Sequence, residues 1–322
     1  MPLINLADLR VARRALERAA AYHLFDSRVS LIDVGMRIEE EKGQVTNELT
    51  VRVHVRHKPR GVAFEAFAAR NPERVIDEQR IEFPLDIVEA DYRPHPGLFG
   101  PLPARAGVYN PLRGGISISN EWDFNYGTLG GKVIDRETGA EMILSAWHVL
   151  AGSAFAQPGL RIYQPGSGDR GQRRNTIALL SRHAMSAGID AAVAEVTNAR
   201  PIINDQLGLG PVTGVDSPTL GMSVAKSGRS SEITEGMIDG VEGVRTIRYN
   251  GFDRTVRHVV HIVQTAGGGE VSEPGDSGSW WLEKSSNQAV GLHFAGSDVP
   301  EYGLAIAMPQ VFDTLQVDLA PA

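Results

Sequence analysis

Three short segments hold residue types that could act together on a carbonyl. They are Leu144-Ser145-Ala146-Trp147-His148, Gly188-Ile189-Asp190-Ala191-Ala192-Val193 and Glu273-Pro274-Gly275-Asp276-Ser277-Gly278-Ser279. A serine hydroxyl is a weak nucleophile alone and needs an adjacent base, usually histidine, oriented by a third group. Gly275 and Gly278 bracket Ser277 and suit a tight turn, because glycine reaches backbone conformations that other residues avoid. N–H groups converging in such a turn can hold an oxyanion beside the hydroxyl. Gly-Asp-Ser-Gly alone also describes an ordinary turn, which uses the same residues. The other two segments supply what is missing. His148 closes an apolar run (Met142, Ile143, Leu144), and Asp190 opens the run from Ala191 to Val196. A carboxylate at the mouth of a buried strand is shielded from water and orients an imidazole strongly. Any one of the three alone reads as structural; all three together read as a site.

The hydrophobic pattern predicts the elements that position them. From Ile116 onward, short β-prone runs (126–131, 141–144, 191–196, 222–227, 246–249, 258–263, 279–282, 289–294 and 303–307) alternate with Gly, Asn, Asp and Pro. This predicts an all-β sandwich or barrel, with a helix only over 309–317. Before it lies a stretch dense in breakers, including Pro94, Pro96, Gly97, Gly100, Pro101, Pro103, Gly107 and Pro111. It reads as a linker or a strap over the surface. The first hundred residues predict a small α+β unit. Its helix covers 6–22, and its strands cover 30–39, 48–57 and 81–88, with a short helix over 62–70. Strand 48–57 alternates Leu49, Val51, Val53 and Val55 with Thr50, Arg52, His54 and Arg56. The expected division is an N-terminal α+β domain, 1–105, and a mainly β domain, 106–322.

The 322 residues carry a net charge of -7, 42% hydrophobic and 22% charged residues, and no Cys. That composition excludes disorder, disulfides and thiolate metal sites. It fits a reducing cytoplasm, where the chain is expected to reside. No apolar run reaches the ~18 residues of a membrane span, and the Arg-rich start lacks the features of a secretory signal. The acidic balance argues against nucleic acid as a partner. The basic clusters around Arg52, Arg56, Lys58 and Arg60, and around Arg170, Arg173 and Arg174, read as solvated faces. His54-x-x-His57 and His258-x-x-His261 face opposite sides of strands, so no shared metal is expected. His23, His95 and His183 read as isolated surface residues. Gly267-Gly268-Gly269 precedes no Lys-Ser/Thr helix, so it reads as a loop by the cleft and no cofactor is expected. Of Trp280 and Trp281, alternation sends one to the core and the other to the surface or an interface.

The order His148, Asp190, Ser277 separates this chain from subtilisin-type enzymes (Asp, His, Ser) and from α/β-hydrolases, whose Gly-x-Ser-x-Gly elbow fails at Ser279. Residues 114–322 resemble a chymotrypsin-fold, trypsin-like serine protease. Leu144-Ser145-Ala146-Trp147-His148 is similar to the family's Leu-Thr-Ala-Ala-His, and Asp190-Ala191-Ala192-Val193 to its Asp-Ile-Ala-Leu. Gly275-Asp276-Ser277-Gly278-Ser279 is similar to Gly-Asp-Ser-Gly-Gly, and Val290-Gly291-Leu292-His293-Phe294-Ala295-Gly296 to the strand lining the primary specificity pocket. The N-terminal unit, with Lys226-Ser227-Gly228-Arg229, resembles the intracellular bacterial and plant branch that includes NAL1-like peptidases.

The resemblance implies two six-stranded β-barrels with the site between them, and a serine endopeptidase acting through an acyl-enzyme. Ser277 would be the nucleophile, His148 the base and Asp190 its orienting group, with the Gly275 and Ser277 amides as the oxyanion hole. It also implies that the chain folds active without proteolytic processing, with Asp276 paired to an internal partner that the sequence does not identify. The pocket would be lined by Val271, Ser272, His293 and Gly296. Val271 at its base excludes a preference for Lys or Arg, and Ser272 with His293 suits Glu or Asp, otherwise small apolar residues. The expected substrate is a protein or peptide. The N-terminal domain is expected to serve regulation, substrate docking or assembly, through a regulatory partner or a second copy. Two alternatives stand: a protease-fold module that binds peptides uncut, and a latent protease that a partner activates.

Overall fold

The computed structural model describes residues 6–39, 44–58, 74–76, 82–94, 104–197, 199–249, 252–265, 269–298 and 301–321. The helix expected over 62–70, most of Gly267-Gly268-Gly269, and His95 lie outside these. The chain opens with the helix Leu6–His23, free of Gly and Pro and rich in Ala, Leu and Arg, all strong helix formers. Ala12, Ala15, Leu16 and Ala19 form its buried stripe. They pack on the hairpin of β1 (Val29–Glu39) and β2 (Gln44–Val55), against Ile32, Val34, Val51 and Val53. The short β3 (Arg74–Ile76) pairs with β4 (Glu82–Glu89), which lies parallel to β2. The two-residue β5 (Arg93–Pro94) follows.

The first barrel begins after β6 (Leu112–Gly114). Its strands are β7 (Ser117–Asn120), β8 (Gly127–Thr128), β9 (Gly131–Asp135), β10 (Glu141–Ser145), β11 (Arg161–Tyr163), β12 (Thr176–His183) and β13 (Ala192–Val196). They run in the order β9-β10-β13-β12-β11-β7-β8. Because β8 leads into β9 through Leu129, whose N–H bonds to the Ile116 carbonyl, the sheet closes on itself. Counting β8 and β9 as one bent strand, it has six strands. β14 (Ile202–Gln206) and β15 (Gly210–Pro211) join β6 in a small sheet.

After β16 (Gly214–Val215) come β17 (Ser223–Gly228), β18 (Glu232–Tyr249), β19 (Phe252–Val263), β20 (Trp280–Glu283), β21 (Gln288–Asp298) and β22 (Glu301–Ala307). Their order is β17-β20-β21-β22-β19-β18, and β18 pairs back to β17, closing a second six-stranded barrel. The helix Met308–Leu315 and β23 (Val317–Leu319) return the chain to β9. The fold is therefore mainly β, a chymotrypsin-like double barrel preceded by an α+β unit. No helix among the described residues is long and apolar enough to cross a membrane.

β18 also pairs with β1, with Ile32 opposite Val244 and Gly35 opposite Gly240, so the N-terminal sheet extends the second barrel. This pairing overturns the solvated reading for Arg52, whereas Arg56 and Lys58 stay partly exposed and Arg60 lies outside the described residues. Arg52 and His54 are buried. Arg52 bonds both Asp33 and Asp239, and His54 bonds Asp33. Both Trp280 and Trp281 are buried rather than one, because one faces the first barrel's core cluster and the other the second's. His23, expected at the surface, is buried as well.

Candidate active site

β10 and β13 are antiparallel neighbours, with Ser145 opposite Ala192. The turn leaving β10 and the loop entering β13 therefore emerge side by side. The first is the helical turn Trp147–Leu150 carrying His148, and the second carries Asp190. His148 Nδ1 lies 2.7 Å from Asp190 Oδ2, and the His148 backbone N–H donates to Oδ1 at 3.1 Å. Both residues are buried. A carboxylate only accepts, so Nδ1 carries the proton and Nε2 is left with a lone pair. Nε2 makes no hydrogen bond. Asp190 Oδ2 also accepts the hydroxyl proton of Tyr249, whose ring stacks on His148 at 5.7 Å between centroids. Burial and then the charge of Asp190 push the Tyr249 phenol well up, so it remains a donor.

Ser277 follows a tight turn in which the Asp276 N–H bonds to the Glu273 carbonyl at 3.0 Å. Pro274 and Gly275 are its central residues, and Gly275 has φ +108, as a type II turn requires. Gly278, at φ +97, packs so tightly that a Cβ would stand 2.0 Å from Ser145 Oγ. Across the seam of the barrels, the Thr128 N–H bonds to the Ser277 carbonyl at 2.8 Å, and Thr128 Oγ1 donates to the Gly275 carbonyl at 2.8 Å. A Cβ on Gly127 would meet both Val149, next to His148, and the Ser277 carbonyl. The serine loop and the histidine turn thus share one wall. The Ser277 hydroxyl itself donates to the Phe294 carbonyl at 3.3 Å.

Asp276 points away from the cleft into a buried pocket of its own. Lys226 Nζ lies 2.7 Å from its Oδ2, and both side chains are 0% exposed. The N–H groups of Ser230, Ser231 and Glu273 and the hydroxyl of Ser231 complete the shell. Burial would raise this carboxyl, but the Lys226 charge and these donors hold it well below the usual range. Lys226 is the internal partner that the sequence left unnamed. Arg229, three residues on, binds Asp169 of the first barrel and lies 3.5 Å over the Tyr126 ring. Tyr126 in turn packs on Gly275.

Of the expected pocket residues, Val271 sits in the apolar cluster with Val224, Ile238 and Trp281. Ser272 and His293 are buried, and Trp281 Nε1 donates to His293 Nδ1 at 3.3 Å. Gly296 lies opposite Gly303. A carboxylate that sequence reasoning missed, Glu301, accepts from the amides of Val271 (2.7 Å) and Ser272 (3.2 Å). Tyr249 was also missed, since nothing in its local sequence points to Asp190. Lys226 did leave a signal: it is one of five lysines and follows the apolar pair Val224-Ala225 in a β-prone run. Among the described residues, no three His, Asp or Glu side chains are grouped to hold a metal.

No protein-family model matches the sequence, and no curated protein matches it. Among solved structures, the chain is similar to a chymotrypsin from Cellulomonas bogoriensis (17% identity, 66% of this chain and 100% of that one, TM-score 0.47). It is similar to a Nocardiopsis protease (18% identity, 66% and 100%, TM-score 0.49). It is also similar to a glutamic-acid-specific serine protease described as using a histidine triad in substrate binding (16% identity, 65% and 100%, TM-score 0.46).

Proposed function

We propose that this chain is a serine endopeptidase, its chemistry carried by 106–322. The observation that carries the reading is the buried Asp190–His148 contact, which leaves Nε2 unbonded on the wall shared with Ser277. Ser277 Oγ attacks the scissile carbonyl carbon and passes its proton to His148 Nε2. Asp190 fixes the tautomer and stabilises the imidazolium. The amides of Gly275 and Ser277 hold the developing oxyanion, each such donor contributing ~3 kcal/mol. As the tetrahedral species collapses, the C–N bond breaks and the leaving amine takes the proton from Nε2. Water then attacks the ester by the same relay, releasing the acid and restoring Ser277. Tyr249 is a positioning residue: it holds Asp190 and lies along the imidazole.

Lys226 supports activity without proteolytic processing, since a cation already inside the fold anchors Asp276. The pocket supports a small apolar residue before the cleaved bond. Val271 and Trp281 fill its base, and the Glu301 carboxylate on its amides repels Glu or Asp. The N-terminal unit and Lys226-Ser227-Gly228-Arg229 support a likeness to the intracellular bacterial and plant branch that includes NAL1-like peptidases. The N-terminal unit is assigned to regulation, docking or assembly.

The test is hydrolysis of a peptide library by the whole chain. Ser277→Ala and His148→Ala should each lower kcat by ~10⁴-fold or more. The wild-type profile should be dominated by Ala or Val. A profile dominated by Lys and Arg contradicts the pocket reading, and peptides bound but uncut contradict the enzyme.

A further inference from the structure

Ser277 Oγ reaches the Phe294 carbonyl, so β21 leads away from the nucleophile residue by residue. Up to His293, one side of β21 is occupied by β20 and then by the backbone of Gly278 and Ser279. The other side stays paired with β22 to the end of the strand. Beyond His293 the first side would be a bare edge, and bare edges template an added strand. Here β5 takes that edge. It runs antiparallel to β21, with Pro94 opposite Ala295 and Arg93 opposite Gly296. Antiparallel pairs alternate between bonded and non-bonded, and proline has no N–H to give. Arg93 and Gly296 are therefore the bonded pair.

On the endopeptidase reading, an extended substrate whose carbonyl reaches Ser277 competes for this same edge. The occupied site is also closed. Ser277 is 0% exposed, and Phe294, Ala295, Ser272 and Val271 are buried. The segment leading into β5 is firmly held. Tyr92 is buried, its hydroxyl lies within 2.8 Å of both His54 Nδ1 and His261 Nε2, and its carbonyl accepts from Arg245. Further along the chain, buried Arg105 bonds Ser227 Oγ and the Gly228 carbonyl, both at 2.7 Å. Arg93–Pro94 and His95–Pro96 are both imide bonds, whose pyrrolidine ring crowds the leaving nitrogen and makes them poor scissile bonds.

We propose that residues 93–94 are a built-in blocking strand: they hold the peptide-binding edge of β21, and an extended peptide is cut only once they leave it. A tethered strand competes at an effective concentration in the millimolar range, so release of β5 sets the rate at low substrate. This inference rests on the endopeptidase reading, and the experiment separates the two. Arg93→Pro in the full chain deletes the N–H of the bonded pair. It should hydrolyse an internally quenched peptide mixture at least five-fold faster than wild type, with a lower KM. In this cysteine-free chain, the pair Pro94→Cys with Ala295→Cys faces across a non-bonded position, a spacing a disulfide can span. Oxidised, that chain should lose at least ten-fold in rate, and reductant should restore it to the level of Ala295→Cys alone. A fluorophosphonate probe that labels Ser277 in every form, with no rate gain in Arg93→Pro and no loss on oxidation, overturns the blocking strand alone. A probe that labels none of them overturns the endopeptidase and the blocking strand with it.

Discussion

Tyr249 tests how far the site is understood atom by atom. Tyr249→Phe keeps the ring on His148 and removes one donor from Asp190. A hydrogen bond to a charged group contributes ~1.5–3 kcal/mol, so kcat should fall about ten-fold or more with KM unchanged. A kcat equal to that of wild type would make Tyr249 structural only. Lys226→Met strands a buried Asp276 carboxylate and should cost ~3–5 kcal/mol in urea unfolding, with partial recovery when Asp276→Asn is added. No recovery would mean that Lys226 stabilises through its ammonium over the Trp281 ring rather than through its pairing with Asp276. His148, Asp190 and Ser277 were legible in the sequence because each chemistry demands its own local context. Tyr249 and Glu301 were not, because their roles exist only through partners distant in the chain, 59 residues away for Tyr249.

Among the elements, the β18–β19 hairpin ties the parts together. β18 pairs with β17, β19 and β1, and carries Thr234 beneath Val271, Asp239 beside Arg52, and Tyr249 at Asp190. Of its 18 residues only the C-terminal stretch, 246–249, was legible. Gly236, Gly240 and Gly243 interrupt the alternation, and register shifts at Gly240 and Gly243 offset the faces. β2 shows the opposite difficulty. Its alternation was read correctly, but its polar face was taken as solvated because Asp239 lies 187 residues away. A Cβ on Gly240 would stand 2.1 Å from Asp33 Oδ2 and 2.2 Å from Arg52 Nη2. Gly240→Ala should therefore lower stability by ~2–4 kcal/mol, read as the urea midpoint. An unchanged midpoint would show that the Asp33–Arg52–Asp239 junction yields freely.

At the scale of the whole molecule, that junction joins the N-terminal sheet to the second barrel and makes the fold pH-sensitive. Burial pushes His54 down from 6.5 to about 4, with Asp33, Arg52 and His261 around it. Between those values the unfolded chain binds the proton that the folded one refuses, so stability is whole above pH 6.5 and drains away toward pH 4. The urea midpoint should fall over that window, by on the order of 3 kcal/mol in stability, and His54→Gln should flatten the fall. The same junction anchors Tyr92 and thereby β5, so the N-terminal unit and the proposed control of the cleft are one structure. The central claim remains the acylation of one serine by a relay through His148. The most direct measurement is peptide mass mapping of the whole chain after exposure to a fluorophosphonate. The account requires a single adduct on the fragment carrying Ser277, absent in Ser277→Ala and at least a hundred-fold slower to form in His148→Ala. An adduct elsewhere, or one that forms as fast without His148, would contradict it.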